Sequence, residues 1–534
     1  MSDSFSISPD GRKFKIPDGE EINSDFLRVE ALSAEARERG DEIVVVMGMG
    51  FVGIVMAAIV ADVPNKFVIG CQRPSTRSYW KVPILNTGEN PLDAEDPEVE
   101  ELIRRTVSVN KSFTATTSSD CLTLADCVIV DVQCDYIKNE FGNVRNGSAD
   151  MGALEKTMRT IGEKIPPSAL TLIETTVAPG TTEFVALPIL KESFMNRGIE
   201  SEPLLAHSFE RVMPGKEYVS SIRDFWRVCS GVNEESRDRV EVFLHEVLNT
   251  KDFPLTVMDR PIESETTKII ENSYRATILA FMDEWSTFSE RNGVDLKKVI
   301  DAIKMRPTHS NIIFPGPGIG GYCLPKDGGL GYWSHSNILG SEDDIFRITP
   351  LAIDINDTRG VRAAEMTSLA LGDLGVEISS SKVLVCGASY RQDVGDTRYS
   401  GSEIIVRKLS EMGALVSVHD PYVKSWGEFR EQEQDSFGKM KFFNNQGILS
   451  ELEVQSDLGD AISGVNALVL AVPHNDYLNL QPSKIVELSG GPLAIVDCFC
   501  ILDDSQIEEF FSLGCMVRGL GRGHVDRLSE AINS

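Results

Sequence analysis

Short apolar runs alternate with helical stretches through the first half of the chain. These runs are rich in β-branched residues and read IVVVM, FVIGC, CVIVDVQ, LTLIET and PLLAHS. Runs of this kind, separated by enough residues for a helix, are typical of parallel strands joined by crossover helices. The same rhythm returns from residue 382 with KVLVCGASY, ALVSVHDP, ALVLAVPHND and LAIVDCFCIL. The pattern therefore predicts two doubly wound α/β sheets.

The pattern changes between about residues 262 and 370, where strand-like runs are absent. Apolar and aromatic residues recur there at helical spacing, at Ile270, Tyr274, Ile278, Phe281, Trp285 and Phe288. Such a stripe usually packs in a core or between subunits, so we predict a long helix with one of these roles. The predicted fold class is α/β, with two doubly wound Rossmann-like domains joined by a long central helix and a helical dimerisation region.

These changes of pattern predict four segments. They are an N-terminal accessory arm (1–40), a first Rossmann-like domain (41–255), a central helical region (256–372) and a C-terminal Rossmann-like domain (373–534). The arm is polar and acidic and contains one helical stretch. A chain of 534 residues is too long for a single hydrophobic core, which agrees with this division.

Composition narrows the possible partners. The chain has 52 Lys and Arg against 81 Asp and Glu, a net charge of -29, which repels nucleic acid and anionic membranes. The N-terminus lacks the apolar segment of a secretory signal, and the longest early apolar run contains glycines. The ten cysteines are scattered, and we expect neither disulfides nor a metal site. We therefore predict a cytoplasmic protein with no nucleic-acid or membrane partner.

A glycine-rich motif follows the first predicted strand. In IVVVMGMGFVGIVMAA, Gly48, Gly50 and Gly53 lie between that strand and a helical stretch. Glycines at this spacing allow a tight turn and close approach of the backbone to a pyrophosphate, which the helix N-terminus attracts. The motif therefore predicts a dinucleotide-binding site.

The acidic residue expected about twenty positions further on, at the ribose, is missing. Gln72 and Arg73 stand there instead, and Arg77 follows. Loss of the carboxylate with gain of guanidinium groups is a pattern that tolerates a 2′-phosphate, although both arginines could equally be solvated. NAD is the predicted cofactor, and NADP stays open.

One cysteine lies in a segment with many glycines, GPGIGGYCLPKD, at residues 316–327. A nucleophilic thiol needs access, a route to the thiolate and donors for the oxyanion that it generates. A lone cysteine is more often inert packing, but a loop so rich in glycine is poorly suited to burying a core residue. We interpret Cys323 as a candidate nucleophile, with Lys326 and Asp327 as nearby charges.

Two further pairs of polar residues leave two interpretations open. Lys268 and Asn272 are four positions apart and share one helix face, either an exposed polar face or two donors aimed at a developing oxyanion. Glu210 and Arg211 follow the PLLAHS strand, at the edge where open α/β sheets bind ligands. Glu210 is either a base for water or part of a surface ion pair.

Six motifs together resemble, in order, those of the UDP-glucose/GDP-mannose dehydrogenase family of nucleotide-sugar 6-dehydrogenases. They are GMGFVG, ETTVAPGTT, ERVMPG, KIIENSYRATILAFMDE, GPGIGGYCLPKD and SYRQDVGDTR. The resemblance extends from about residue 42 to 521 and leaves the N-terminal arm without a role. It implies an NAD-binding domain at 41–255, a dimerising central region and a C-terminal domain that binds the nucleotide of a UDP-sugar. It also implies a homodimer or a higher homo-oligomer.

The resemblance also implies roles for individual residues. Cys323 would be the nucleophile, Lys268 and Asn272 would stabilise the oxyanion, and Asp327 would handle a proton or orient water. Thr176 would hold the catalytic water, with Glu210 as its base. The implied cofactor contacts are Gly48, Gly50, Gly53, Gln72, Arg73, Arg77 and Arg398. The implied substrate contacts are Arg211, Lys268, Gly320 and Arg391, of which Arg391 stands where the family usually has a lysine.

The implied reaction is oxidation of a sugar C6 alcohol to a carboxylate in two hydride transfers through a cysteine thioester. ERVMPG is more similar to the N-acetylhexosamine branch of the family than to its UDP-glucose branch. Two other functions stay open. One is a catalytically silent nucleotide-sugar binding or scaffold protein, which the altered positions would fit: Gln72 replaces the ribose-binding acid, and VQCDY at 132–136 replaces a proline-containing turn. The other is a single-step alcohol dehydrogenase, which needs no nucleophilic cysteine.

Overall fold

The structure is a computed structural model of the chain, and it describes residues 4–213, 215–430 and 442–533. The chain divides into two compact units. Unit 1 comprises Met1–Asp135, Ala149–Ile269 and Ser334–Glu342. Unit 2 comprises Tyr136–Ser148, Ile270–Trp333 and Asp343–Ser534.

Most strands are three to six residues long. In chain order they are β1 (Phe5–Ile7), β2 (Lys13–Lys15), β3 (Glu42–Met47), β4 (Lys66–Cys71), β5 (Phe113–Thr116), β6 (Cys127–Val130), β7 (Asp135–Lys138), β8 (Gly147–Asp150), β9 (Leu170–Ile173), β10 (Leu204–Phe209), β11 (Val228–Gly231), β12 (Thr256–Met258), β13 (Lys382–Cys386), β14 (Leu415–His419), β15 (Val454–Gln455), β16 (Ala467–Leu470), β17 (Ala494–Asp497) and β18 (Met516–Gly519).

The helices differ widely in length. In chain order they are α1 (Gly19–Glu38), α2 (Phe51–Asp62), α3 (Lys81–Thr87), α4 (Pro97–Arg104), α5 (Gly152–Lys164), α6 (Leu187–Asn196), α7 (Tyr218–Arg223), α8 (Glu234–Val247), α9 (Pro261–Arg291), α10 (Leu296–Lys304), α11 (Asp327–Asn337), α12 (Thr349–Asp373), α13 (Gly401–Glu411), α14 (Gly427–Arg430), α15 (Leu458–Ile462), α16 (Pro482–Ser489), α17 (Asp504–Ser512) and α18 (Val525–Asn533).

Unit 1 is built around an eight-stranded sheet. Its order is β12-β11-β10-β9-β6-β3-β4-β5, and all neighbours are parallel except β10 and β11. The central strands are continuous apolar runs because helices cover both faces of such a sheet. The carboxyl ends of β3, β6, β9 and β10 therefore share one edge, where ligands of open α/β sheets bind.

Unit 2 contains a six-stranded, fully parallel sheet of order β15-β14-β13-β16-β17-β18. In both sheets the order of the core strands is the doubly wound one, in which the third, second and first strands precede the fourth. The prediction of two doubly wound, Rossmann-like α/β sheets is confirmed.

Helix α9 is the predicted long helix and has 31 residues. Five of the six predicted stripe residues are exposed by 46 to 62% within the described chain, namely Ile270, Tyr274, Phe281, Trp285 and Phe288. These five residues therefore do not pack in the core of this chain, which was one of the two predicted roles. The stripe is an unburied apolar face.

The N-terminal arm, residues 4–40 of the described chain, belongs to unit 1. It contains the expected helix, α1, which Asp18 and Glu21 cap reciprocally, and an antiparallel β1–β2 hairpin that was not predicted. Residues Val29 and Ala36 of α1 are fully buried. The arm is therefore an integral layer of unit 1. Among the described residues, no helix is both long and apolar enough to cross a membrane.

Candidate active site

The glycine-rich turn connects β3 to α2. A Cβ at Gly48, where φ is 102°, would lie 2.3 Å from the carbonyl oxygen of Asp131. A Cβ at Gly53 would lie 2.0 Å from the carbonyl oxygen of Gly48, so both positions require glycine. A Cβ at Gly50 would meet nothing within 4 Å. Among the described residues no side chain caps α2, which begins at Phe51. The turn thus offers open space at a helix N-terminus, which fits a pyrophosphate.

Side chains of the next segment hold this turn from both sides. The Oε1 atom of Gln72 accepts the N–H of Met49 at 2.9 Å, and its Nε2 donates to Ser78 Oγ at 2.9 Å. Lys81 Nζ donates to the carbonyl oxygen of Met49 at 3.2 Å. Burial, and then the nearby Arg77, lower the pKa of Lys81. The turn is thus contacted by the cation of Lys81, and Arg77 is near enough to lower the pKa of that cation.

Three predicted residues lie near the carboxyl ends of β9 and β10 or on α9. Lys268 Nζ donates to the carbonyl oxygen of Glu210 at 2.7 Å and lies over the Phe209 ring at 5.4 Å. Glu210 is 6% exposed, and its Oε2 accepts the N–H of Val212 at 2.5 Å. Thr176, in the segment after β9, is also buried. Unit 1 therefore brings Lys268 against the Glu210 backbone.

The same edge carries buried charged groups that the sequence did not predict. Glu174 forms an ion pair with Arg227 at 2.8 Å, and both side chains are almost completely buried. Burial, then Glu174 and Glu210, raise the pKa of Asp131 well above its usual range, and Arg227 only partly opposes them. The Oδ2 atom of Asp131 has no hydrogen-bond partner in the described structure. Three carboxyl groups and one guanidinium group therefore meet beside the glycine-rich turn.

Arg211 turns toward the surface side of β10. Its guanidinium group lies over the Phe209 ring at 4.9 Å and donates to the carbonyl oxygen of Trp226. Arg73 and Arg77 are exposed. These three predicted contacts thus lie in unit 1, but Arg211 is oriented by β10 and the segment before β11.

In unit 2, the glycines of the cysteine loop are packed closely against residues of the second sheet's connections. A Cβ at Gly320 would lie 2.2 Å from the Cβ of Tyr390, and one at Gly318 would lie 2.8 Å from the Cα of Gly401. A Cβ at Gly316, where φ is 62°, would lie 2.2 Å from the Phe499 ring. These glycines are therefore required by close packing of the loop within unit 2.

Cys323 is partly exposed and begins the turn that leads into α11. Its carbonyl oxygen accepts the N–H groups of Lys326 and Asp327 at 3.1 and 3.0 Å. The carboxylate of Asp327 accepts the Asn272 side-chain amide at 2.6 Å through Oδ2 and pairs with Lys326 at 2.8 Å through Oδ1. Lys326 and Asp327 are almost fully buried. A partly exposed thiol thus lies one turn from a buried charge pair, which is typical of a functional site.

Two residues of the second sheet's first connection, Tyr390 and Arg398, contact this loop. Burial, then Asp396, raise the pKa of Tyr390 to about 12, and the proximity of Cys323 adds to this effect. Arg398 pairs with Asp396 at 2.6 Å and lies over the Tyr322 ring at 5.6 Å. Arg391 is exposed. Arg398 is therefore in contact with the cysteine loop, and Arg391 is available to solvent.

The predicted residues divide between the two units. Unit 1 contains the glycine-rich turn with Gln72, Arg73, Arg77, Thr176, Glu210, Arg211 and Lys268. Unit 2 contains Asn272, Gly320, Cys323, Asp327, Arg391 and Arg398. Lys268 and Asn272 are one turn apart on the single helix α9.

Three family models match the chain in consecutive segments. All are described as parts of the UDP-glucose/GDP-mannose dehydrogenase family: the NAD binding domain at residues 42–248, the central domain at 262–356 and the UDP binding domain at 384–504. Together they cover most of the chain. The chain belongs to the UDP-glucose/GDP-mannose dehydrogenase family.

Curated relatives and solved structures are similar over two thirds or more of the chain. The UDP-N-acetyl-D-mannosamine dehydrogenase of Pyrococcus horikoshii is 25% identical, over 90% of this chain and 100% of the relative. The UDP-N-acetyl-D-glucosamine 6-dehydrogenase of Pseudomonas aeruginosa is 25% identical, over 67% and 78%. The crystal structure of an NDP-N-acetyl-D-galactosaminuronic acid dehydrogenase from Methanosarcina mazei is 28% identical with a TM-score of 0.73, over 93% and 98%.

Membership in the UDP-glucose/GDP-mannose dehydrogenase family identifies the cofactor and the enzyme class. The NAD binding domain contains the glycine-rich turn, and the UDP binding domain contains Arg391 and Arg398. The protein is an NAD-linked oxidoreductase of nucleotide sugars. Sequence reasoning missed Lys81, although its place at the start of α3, after the two arginines, was a usable signal.

Proposed function

We propose that the protein oxidises the C6 hydroxyl of a UDP-N-acetylhexosamine to a carboxylate in two steps, with Cys323 as the nucleophile. The observation that carries the proposal is the setting of Cys323, a partly exposed thiol beside the buried Lys326–Asp327–Asn272 network. The N-acetylhexosamine preference is supported by the ERVMPG segment and by the relatives, whose names specify N-acetylated sugars.

The first half of the reaction forms a covalent adduct. The glycine-rich turn of Gly48, Gly50 and Gly53 would hold NAD, which would supply the hydride acceptor for the two oxidation steps. The sugar alcohol loses its C6 hydride and its hydroxyl proton and becomes an aldehyde. The Cys323 thiolate adds to the aldehyde carbon, and the carbonyl oxygen becomes an oxyanion. Lys268 and Asn272 donate to that oxyanion, since both end in N–H donors on one face of α9.

The second half releases the acid. Loss of the second hydride converts the thiohemiacetal into a thioester on Cys323. Thr176 holds a water molecule, Glu210 removes its proton, and attack of this water breaks the C–S bond and regenerates the thiol. Asp327 keeps the Asn272 amide oriented through their 2.6 Å hydrogen bond. For each sugar, two NAD are reduced, one water is consumed and three protons are released.

Binding of the two nucleotides is divided between the predicted domains. We assign NAD to residues 41–255, with Gly48, Gly50 and Gly53 at the pyrophosphate and Gln72, Arg73, Arg77 and Arg398 as further cofactor contacts. We assign the UDP-sugar to residues 373–534 and to the neighbouring segments, with Arg391 at a phosphate and Arg211, Lys268 and Gly320 at the sugar side. Exposure of Arg391 supports its role, because a guanidinium group suits bidentate phosphate binding.

The unburied apolar face of α9 supports a homodimer, assembled through the central region at 256–372. Its five exposed side chains form an apolar patch of the kind that marks subunit interfaces. Replacing Phe281 and Trp285 by Asp should give monomers in light scattering, and an unchanged dimer would reject this interface. None of the ten cysteines, all within the described residues, forms a disulfide bond, which suits the proposed cytoplasmic location.

The decisive experiment measures reduced NAD formed per sugar consumed, with UDP-N-acetylhexosamines, UDP-glucose and GDP-mannose. We expect two per sugar for wild type with a UDP-N-acetylhexosamine. In the Cys323→Ser variant, the reaction should stop no later than an oxygen ester on the new serine, and the enzyme should not turn over. The matched control is Cys500→Ser, because burial raises the pKa of that thiol well above its usual range and it lies outside the loop.

Each outcome decides between the functions left open by the sequence. A yield of one reduced NAD per sugar, unchanged in Cys323→Ser, would identify a single-step alcohol dehydrogenase and reject the thioester route. Binding of UDP-sugars with no NAD reduction by any substrate would identify a silent binding protein. If Cys500→Ser loses as much activity as Cys323→Ser, the effect of the Cys323 substitution is structural.

A further inference from the structure

The N-terminal arm lies outside the family match, which begins at residue 42, and neither the reaction nor the substrate assignment uses it. Two of the places that it contacts in unit 1 lead toward the glycine-rich turn. One is the carboxyl end of the edge strand β5, and the other is the loop of residues 72–80 between β4 and α3, called here the β4–α3 loop.

The β1–β2 hairpin holds the end of the β4–α3 loop. The buried hydroxyl of Ser6 accepts the backbone N–H of Trp80 at 3.1 Å, and both residues are buried. A buried N–H that loses its acceptor carries a substantial free-energy penalty. The position of Trp80 therefore depends on the hairpin, and the Lys81 side chain that contacts the turn comes directly after it.

Helix α1 holds the start of the same loop through β5. The carboxylate of Asp25 accepts the Thr116 hydroxyl at 2.6 Å, and the carbonyl oxygen of Thr116 accepts the N–H of Gln72 at 3.0 Å. Burial, then the charges of Asp25 and Glu21 on α1, raise the pKa of Tyr79 in this loop. Both ends of the β4–α3 loop are thus tied to the arm.

The loop in turn holds the glycine-rich turn. Gln72 and Lys81 bond to the N–H and the carbonyl oxygen of Met49, the residue between Gly48 and Gly50. A continuous series of contacts therefore runs from the arm, through residues 72–81, to the backbone that the pyrophosphate approaches. In a domain without the usual ribose carboxylate, this segment is also the part that meets the adenosine half of the dinucleotide.

We propose that the N-terminal arm is a positioning element of the NAD site, which fixes the β4–α3 loop and the glycine-rich turn for the adenosine end of the dinucleotide. The proposal rests on the assignment of NAD to that turn. The competing explanation is that the arm merely covers β5, which would otherwise be an exposed sheet edge.

A matched pair of variants separates the two explanations. Ser6→Ala with Asp25→Ala removes the contacts that lead to the loop. Arg37→Ala removes contacts of the arm at the other end of α1, where Arg37 bonds to Leu124 and Asp126 at the amino edge of the sheet. Ser6→Thr with Asp25→Asn restores a hydroxyl and an acceptor oxygen at the tested positions.

The measurement is the Kd of ADP-ribose for each full-length protein by calorimetry, with the Kd of UDP as an internal reference. We expect the Ser6/Asp25 double Ala variant to raise the ADP-ribose Kd roughly five- to twenty-fold. We expect the UDP Kd of the double variant to stay near that of wild type. For Arg37→Ala, the Kd of ADP-ribose and the Kd of UDP should both stay near wild type. The restoring variant should recover most of the lost affinity.

Other outcomes overturn the proposal. Equal ADP-ribose affinity in the double variant and in Arg37→Ala would show that the arm only protects the sheet edge. Failure of wild type to bind ADP-ribose would instead reject the NAD assignment on which the proposal rests. If the double variant does not fold, Ser6→Ala alone is measured against the same criteria.

Discussion

After the first strand of its core, each sheet makes a tight turn through a glycine with nearly the same backbone angle. The φ angle is 102° at Gly48 and 103° at Gly387. A Cβ at either position would collide with the neighbouring connection, at Asp131 in the first sheet and at Val472 in the second. The two glycines therefore have the same backbone conformation. Differences in the chemistry of the two turns come from the side chains around them.

Those side chains differ. In the second sheet, the Oδ2 atom of Asp420 accepts the N–H groups of Ala388 and Ser389 at 2.7 and 3.1 Å, and helix α13 begins only at Gly401. In the first sheet, helix α2 begins directly after the turn, and space is open at Gly50. One turn is satisfied by its own carboxylate, whereas the other offers a helix N-terminus to an external anion. The same backbone motif therefore lets the main chain bind an anion in the first domain. In the second domain, binding of an anion requires side chains.

The largest expected effect is on the stability of the second sheet. Besides the two turn N–H groups, Asp420 accepts those of Tyr422 and Val423 and pairs with His474 at 3.1 Å. Asp420→Ala should therefore lower the free energy of unfolding by about 3–5 kcal/mol. Gln72→Ala, the corresponding change in the first sheet, removes one accepted N–H and should cost about 1 kcal/mol. Urea unfolding followed by fluorescence measures both.

The pH dependence of the Asp420 contribution has a definite sign. Burial opposes ionisation, but His474 and the N–H groups of Tyr422 and Ser389 hold the pKa of Asp420 below its usual range. The contribution is therefore complete above about pH 4, the unfolded value, and is lost as the pH falls through the lower folded value. Equal losses of stability in Asp420→Ala and Gln72→Ala would contradict the difference between the turns.

The next effect concerns NAD binding at the first turn. The backbone of Gly50 is extended, with φ -87° and ψ -161°, so any residue can adopt it. Because its Cβ points into open space, Gly50→Val should fold normally but fill the volume that the pyrophosphate needs. We expect the ADP-ribose Kd to rise at least about 100-fold, equivalent to about 2.8 kcal/mol. The melting temperature and the UDP Kd should not change. Retained ADP-ribose affinity would place the dinucleotide elsewhere.

How much of this comparison was predictable depends on where each signal lies in the sequence. The first turn was predicted because strand, glycines and helix are contiguous in IVVVMGMGFVGIVMAA. The strands that were predicted are continuous apolar runs from the middle of each sheet. Those that were missed are short, paired at an edge or polar: β1, β2, β5, β7, β8, β11, β12, β15 and β18. Their strand state depends on tertiary pairing that local pattern does not contain.

The residues of the candidate site were likewise predictable only where their signal is local in the sequence. Cys323, Lys268 and Asn272 lie in compact motifs with recognisable spacing. The buried group of Asp131, Glu174 and Arg227 comes from three connections distant in sequence, so only the fold brings it together. The glycines before Cys323 were interpreted as making the loop poorly suited to burying a core residue. The structure gives them a different reason, their close packing against Tyr390, Gly401 and Phe499.

A smaller effect is expected on the binding of UDP when Arg391 of the C-terminal domain is replaced. If the second turn cannot offer N–H groups to a phosphate, binding of UDP depends on side chains such as Arg391. Arg391→Ala should raise the Kd of UDP roughly tenfold, the usual value of one charge-assisted hydrogen bond. Arg391→Lys should recover part of this loss, and the neighbouring exposed Gln392→Ala should have little effect. An unchanged UDP Kd in Arg391→Ala would remove this residue from the binding site.

The smallest effect tests the electrostatic contrast between Asp131 and Asp420. Burial, then Glu174 and Glu210, raise the pKa of Asp131, so the fold favours its neutral form. The unfolded chain ionises this group above about pH 4, and stability is therefore lost as the pH rises from there toward the folded value. Asp131→Asn cannot ionise, so its melting temperature should exceed that of wild type by an amount that grows from pH 5 to pH 8, reaching about 2–4 °C.

The control for Asp131→Asn is Glu200→Gln, which changes an exposed carboxyl group of the same unit and should leave the difference flat. A difference that is constant with pH, or that shrinks as the pH rises, would mean that the Asp131 carboxyl is not held neutral beside the turn. A growing difference would show that the first turn tolerates a carboxyl group only without its charge. That behaviour is expected of a site whose donors are reserved for the pyrophosphate of NAD, and it is the reverse of the behaviour expected at Asp420.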